Sequence, residues 1–87
     1  MMKLKKEFLV HHTGGETILV PAGGAEFSGV VRGNQTFGAI LELLQNDTDE
    51  AGIVSAMRER FDASAGTIQK DVADALANLR KIGAIDE

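Results

Sequence analysis

The sequence predicts an α+β protein in which a three-stranded antiparallel β-meander is followed by three helices, in a winged helix-turn-helix-like order. Three observations carry that expectation. Across residues 7–32 the apolar side chains come in short runs rich in β-branched residues, separated by glycine and proline. From Asn34 onward their spacing changes to i, i+3, i+4, i+7, the period of a helix with one buried face. The change falls within VVRGNQTFGAILELL (Val30–Leu44), across one glycine and one asparagine, so strand and helix join without a loop.

The strands are expected at EFLVHH (Glu7–His12), ETILVP (Glu16–Pro21) and FSGVVR (Phe27–Arg32). Thr13-Gly14-Gly15 between the first two has hairpin length and glycines able to take positive φ. PAGGAE (Pro21–Glu26) carries the proline and glycine pair of a second turn. Helices follow over residues 34–83. The first is capped by Asn34 and buries Phe37, Ile40, Leu41 and Leu44. The second starts at Asp47 or Thr48, with Asp49 and Glu50 suited to a helix N-terminus, and has Ile53, Val54, Met57 and Phe61 as its stripe. The third is capped near Ser64 and buries Ile68, Val72, Ala75, Leu76 and Leu79. Gly83 stands at a C′ position, with Ile85 able to fold back on the last turn.

A chain of 87 residues is expected to be one domain spanning 1–87. At this length folding buries roughly 60–65% of the unfolded surface, enough to fold alone. The hydrophobic and charged fractions, 44% and 25%, are those of an ordinary soluble protein. No apolar run reaches the ~18 residues of a membrane span, and the basic start (Lys3, Lys5, Lys6) has no apolar stretch behind it as a secretory signal would. The absence of cysteine removes disulfides, thiolate zinc sites and cysteine nucleophiles together. A cytoplasmic protein without a membrane partner is the expectation.

Several side-chain groups suggest chemistry, and the residue types argue against each. Adjacent His11 and His12 would point to opposite faces of a strand and lack a third ligand, so no metal site is expected. The Gly-Gly pairs lie between strands and match no phosphate-binding loop. Ser28, Ser55 and Ser64 have no nucleophile-elbow context. Asp71 and Asp74 lie on the exposed side of the third helix and are read as a solvated face. The chain is therefore expected to be no enzyme and to need no cofactor. DNA binding by a small winged-helix regulator is the rival reading. The helical part, residues 34–87, carries five basic and ten acidic side chains. Lys70, Arg80 and Lys81 stand against Asp71 and Asp74 on the third helix, so the phosphate term would be weak and no nucleic-acid partner is expected.

NQTFGAILELL, the ETILVP strand, Thr48-Asp49-Glu50 before Ile53-Val54, and the closing LRKIGAI (Leu79–Ile85) together resemble the PqqD family of pyrroloquinoline quinone biosynthesis proteins and their relatives. The likeness runs over nearly the whole chain. Two positions depart from the family pattern: Leu41 replaces a bulky aromatic, and Gly33 replaces the hydrophobic residue before the asparagine. The resemblance implies a RiPP recognition element, a non-catalytic domain that binds the leader of a ribosomally made precursor peptide. Such a domain presents the peptide to a modifying enzyme, often a radical S-adenosylmethionine protein, and the leader adds as a strand beside the third strand and packs against the third helix.

The residues supply a mechanism for that implication. If Phe27, Ser28, Gly29, Val30, Val31 and Arg32 form an edge strand, their free N–H and C=O groups can pair with an extended peptide. Gly29 leaves one face open to close approach, unless it marks a bulge and the edge is covered by the chain's own terminus. On the third helix Gln69, Ala73, Leu76 and Arg80 share one flank of the buried stripe and are candidates for the groove wall. Ala73 would give room, Leu76 apolar contact and Arg80 a partner for an acidic leader residue; equally, Ala73 can be a plain surface helix former. A free edge also permits pairing with a second copy, so the expected state is a monomer or weak homodimer.

Overall fold

The structure, a computed structural model, describes residues 1–22 and 29–87, with Ala65 described by its backbone alone. In chain order its elements are β1 (Lys3–Leu4), β2 (Phe8–Thr13), β3 (Glu16–Pro21), β4 (Val31–Gly33), α1 (Gln35–Leu43), α2 (Glu50–Arg60), α3 (Ala65–Lys81) and β5 (Ile85–Asp86). The antiparallel meander β2-β3-β4 followed by three helices is the expected architecture. No helix among the described residues is long and apolar enough to cross a membrane.

The hairpin turns on Gly14 and Gly15 alone, since Thr13 pairs directly with Glu16. Their φ values, +54° and +81°, are both positive, as a type I′ turn requires and as glycine adopts without strain. Strand β4 is shorter than the sequence predicts and shifted by one residue at its end. Gly29 has φ +122°, outside the extended region, so the chain straightens only at Val31. Phe27 and Ser28, and the second turn's Gly23 and Gly24, lie outside the described residues.

Each helix starts on a side-chain cap. The Phe37 amide donates to Asn34 Oδ1 at 3.0 Å, the Gly52 amide to Asp49 Oδ1 at 2.7 Å, and the Thr67 amide to Ser64 Oγ at 3.2 Å. The second helix begins later than Asp47 or Thr48. Thr48 is held in a two-way bridge with Met2, donating at 2.9 Å and accepting at 2.7 Å, and so is committed to extended geometry. At the other end of α3, the Gly83 amide bonds the Arg80 carbonyl and the Ala84 amide bonds the Leu79 carbonyl, with Gly83 at φ +74°. That is a Schellman closure, and it sends Ala84 and Ile85 back into the core.

Two strands have no counterpart in the sequence reading. β1 and β5 pair antiparallel through Lys3–Asp86 and Leu4–Ile85. Further main-chain bonds tie Leu4 to Leu44 and Lys5 to Ala84, so the first residues strap the ends of α1 and α3 together. Two-residue strands carry no periodic signal, which is why the sequence does not reveal them.

The core lies between the inner sheet face and the helices. Leu19 of β3, Ile40, Leu41 and Leu44 of α1, Ile53 and Met57 of α2, and Ile68, Val72, Leu76 and Leu79 of α3 form one cluster, all buried. Sheet and α1 meet where two side chains are missing. A Cβ built at Gly33 would fall within the Phe37 side chain, and one at Gly38 would collide with Thr17 Oγ1. Replacing a mid-helix glycine by alanine ordinarily stabilises by about 1 kcal/mol. Here the overlap with Thr17 decides the sign. Gly38→Ala is expected to destabilise by about 1–3 kcal/mol in urea unfolding, with much of the loss recovered in the Gly38→Ala/Thr17→Ala double variant.

Candidate peptide-binding edge and groove

Strand β4 is an edge of the β2-β3-β4 sheet, and the register decides which of its main-chain groups face outward. A two-residue hairpin makes Thr13–Glu16 a hydrogen-bonded pair, and antiparallel pairs alternate from there. Thr17 and Leu19 therefore direct their N–H and C=O away from β2, toward Gly33 and Val31. Between these two pairs Arg32 faces the other way, so its N–H and C=O point out of the sheet. Its side chain is well exposed, with the guanidinium 3.7 Å from Glu16 Oε1. Val30, two residues earlier, is 55% exposed and precedes the strand. Of the residues expected to form the edge, Val31 and Arg32 lie in β4, and Gly29 and Val30 lead into it.

The expected groove wall on α3 is divided by the structure. Gln69 and Ala73 are exposed and line a shallow depression with Ala51, Val54, Ser55 and Arg58, so their flank faces α2. Leu76 has no exposed surface, which corrects its reading as a groove contact: it belongs to the core. Arg80 is engaged at the far end, its Nη2 2.8 Å from Glu87 Oε1 and within 3.9 Å of Met2 Sδ. Helical periodicity places four residues in one sector but does not say which neighbour that sector meets; α2 meets this one.

A different part of α3 borders an open apolar cavity of about 170 Å³. Met57, Phe61 and Ile68 form its apolar walls, Thr36 closes it from the first turn of α1, and Asp62 and Asp71 stand with it as the charged lining. Met57 and Ile68 were expected as core and are core; they are also the cavity floor. Asp71, expected on a solvated face, lies roughly 200° around the helix from Gln69. A sequence signal for the cavity exists in Phe61, a large apolar residue at the α2 C-cap immediately before Asp62.

The two histidines separate as expected for neighbours on a strand. His11 lies opposite Ile18, while His12 turns to the helical side and its Nδ1 meets Thr17 Oγ1 at 3.1 Å. His12 Nε2 is 3.6 Å from Glu42 Oε1, and Arg60 Nη2 is 3.3 Å from Glu42 Oε2. This half-exposed cluster joins β2, α1 and the end of α2 beside a cavity of about 310 Å³. Among the described residues, no three His, Asp or Glu side chains are grouped to hold a metal ion.

An antiparallel three-stranded sheet laid on a three-helix cluster, with β4 at one of its edges, defines a winged-helix-like fold. The sequence matches the family described as Coenzyme PQQ synthesis protein D (PqqD) over residues 15–85, and the chain belongs to that family. No protein of curated function matches it in sequence. Among solved structures it resembles TbiB1 in complex with the TbiA(beta) leader peptide, with TM-score 0.77 and 18% identity over 97% of this chain and 94% of that one. It also resembles lasso peptide synthetase B1 complexed with its leader peptide, with TM-score 0.75 and 16% identity over 99% and 98% of the two chains.

The division of the α3 wall has a direct consequence for stability. Ala73→Trp, on an exposed flank, should change unfolding free energy by no more than about 0.5 kcal/mol. Leu76→Ala should cost about 2–5 kcal/mol, since it opens a cavity in the core. Urea titrations followed by circular dichroism measure both.

Proposed function

We propose that the chain binds the leader of a ribosomally synthesised precursor peptide as an added strand on β4 and presents it to a modifying enzyme. The observation that carries the reading is the outward-facing N–H and C=O of Arg32 on an edge strand joined directly to α1. Family membership and the two leader-bound structures of the same fold support it. Main-chain pairing supplies affinity that is nearly independent of peptide sequence, and the helical side of the groove supplies the choice among peptides. The chain acts without catalytic residues of its own. Its enzyme partner is of the radical S-adenosylmethionine type, as the family resemblance implies, and it works in the cytoplasm as a monomer or weak homodimer.

The regulator reading finds little support on α3. Arg80 is paired with Glu87, and Asp74 is exposed on the same side of the helix as Lys70 and Lys81. Any affinity for duplex DNA is expected to vanish near physiological ionic strength. Sequence-specific binding that survives that salt in a fluorescence titration would reinstate the regulator.

Two substitutions at one position isolate the main-chain contribution. Arg32→Ala keeps the amide donor and should leave leader affinity within about threefold, the small effect typical of exposed charges. Arg32→Pro removes the donor without touching a bond inside the sheet, and proline is tolerated on an edge strand. It should weaken binding by about tenfold, the equivalent of one hydrogen bond of about 1.4 kcal/mol. Amide shifts on leader addition should concentrate on residues 30–34. Shifts confined to β2 or α2 would remove this reading.

A further inference from the structure

The cavity under Phe61 has a definite chemistry, and it reverses the charge that the sequence suggested for the ligand. We propose that this cavity anchors the bound peptide and selects an apolar side chain flanked by lysine or arginine. The inference rests on the peptide-binding reading above and names the class of leader it takes.

The cavity floor is apolar, because Met57 and Ile68 are buried core residues whose outer surfaces close it from below. At about 170 Å³ it suits one medium-sized side chain such as leucine, isoleucine or methionine. Removing such a side chain from water is favourable, which makes it the natural anchor of an otherwise generic strand pairing. The cavity and the edge are joined by one short segment of chain. Thr36, which closes the cavity, lies three residues beyond Gly33, the last residue of β4. A peptide paired with Arg32 advances about 3.3 Å per residue, and on this proposal one of its side chains seats in the cavity.

The carboxylates set the sign. Asp62 and Asp71 line the same cavity, and neither lies within ion-pair distance of a basic side chain among the described residues. The basic residues of α3 leave in other directions: Lys70, Arg80 and Lys81 fall within a sector about 100° wide, and Asp71 lies outside it. Arg80, the expected partner of an acidic leader, is held by Glu87 instead. An acidic residue beside the anchor would stand near two uncompensated carboxylates, whereas a cationic one pairs with them while its stem covers apolar surface.

Panning a phage-displayed random dodecapeptide library on the full chain tests this, with a D62N/D71N variant of unchanged circular dichroism panned in parallel. Peptides retained by the unmodified chain should carry leucine, isoleucine, methionine or phenylalanine with lysine or arginine within two positions. The variant should retain the apolar preference and lose the cationic one. Resynthesised, dye-labelled peptides should bind the variant about threefold to tenfold more weakly at low salt, with the difference shrinking as salt rises. Retained peptides that lose binding on Arg32→Pro but show no cationic bias, or bind D62N/D71N equally well, would overturn the charge assignment and leave strand addition standing. Panning that enriches nothing over the starting library would overturn the assignment and the peptide-binding reading together.

Discussion

The sheet rests on α1 with no room for a Cβ at two points of contact, and the geometry of the edge depends on that closeness. Over Gly33 the side chain of Phe37 takes the place a Cβ would need, and over Gly38 the hydroxyl of Thr17 does. The first contact holds the end of β4 on the first turn of the helix it leads into. The second holds the start of β3 on the same helix. Two anchorages on one helix leave the short strand little freedom to slide or tilt, so the Arg32 main chain stays directed outward. Glycine at position 33 then has a physical meaning, since Phe37 fills the volume that a side chain there would occupy.

Around that contact the remaining polar groups act as a clasp. Thr17, His12, Glu42 and Arg60 form a chain of contacts from β3 through β2 and α1 to the end of α2. Half-exposed pairs of this kind contribute little stability singly. Their geometry nevertheless links β2, α1 and α2, which are distant in sequence. On the opposite side the first residues do similar work with main-chain bonds, linking Met2 to Thr48, Leu4 to Leu44 and Lys5 to Ala84. Both ends of the described chain meet in the β1–β5 pair, a sheet separate from the one that β4 borders.

The division of labour between edge and cavity follows from what each can discriminate. A strand edge offers N–H and C=O groups that any extended peptide satisfies, so it gives affinity with little choice. An apolar cavity with carboxylates in its lining distinguishes side chains by size and sign. Chains that share a fold at under 20% identity can keep such an edge and vary such a cavity. Such a scheme accommodates different leaders on one scaffold without altering the backbone that receives them.

The order of the meander and the three helices, the caps Asn34 and Ser64, the hairpin glycines and the buried stripes were legible in the sequence, because each depends on residues within one turn or one hairpin. Spacing alone puts the cap of α2 one or two residues early, since Thr48 is drawn into its bridge with Met2. Asn34, Asp49 and Ser64 cap by bonding an amide three residues ahead, and Ile68, Val72, Ala75, Leu76 and Leu79 face inward by helical period alone. What only the tertiary structure decided were the relations between elements. Periodicity grouped Gln69, Ala73, Leu76 and Arg80, yet packing turned the first two toward α2, buried the third and gave the fourth to Glu87. The β1–β5 pair joins residues more than eighty positions apart, and the cavity draws Thr36, Phe61 and Asp71 from three different segments. Local spacing carries the direction of a side chain relative to its own helix axis, while the neighbour that it meets is set by how whole elements pack. A binding site made between elements is therefore the last feature a sequence discloses.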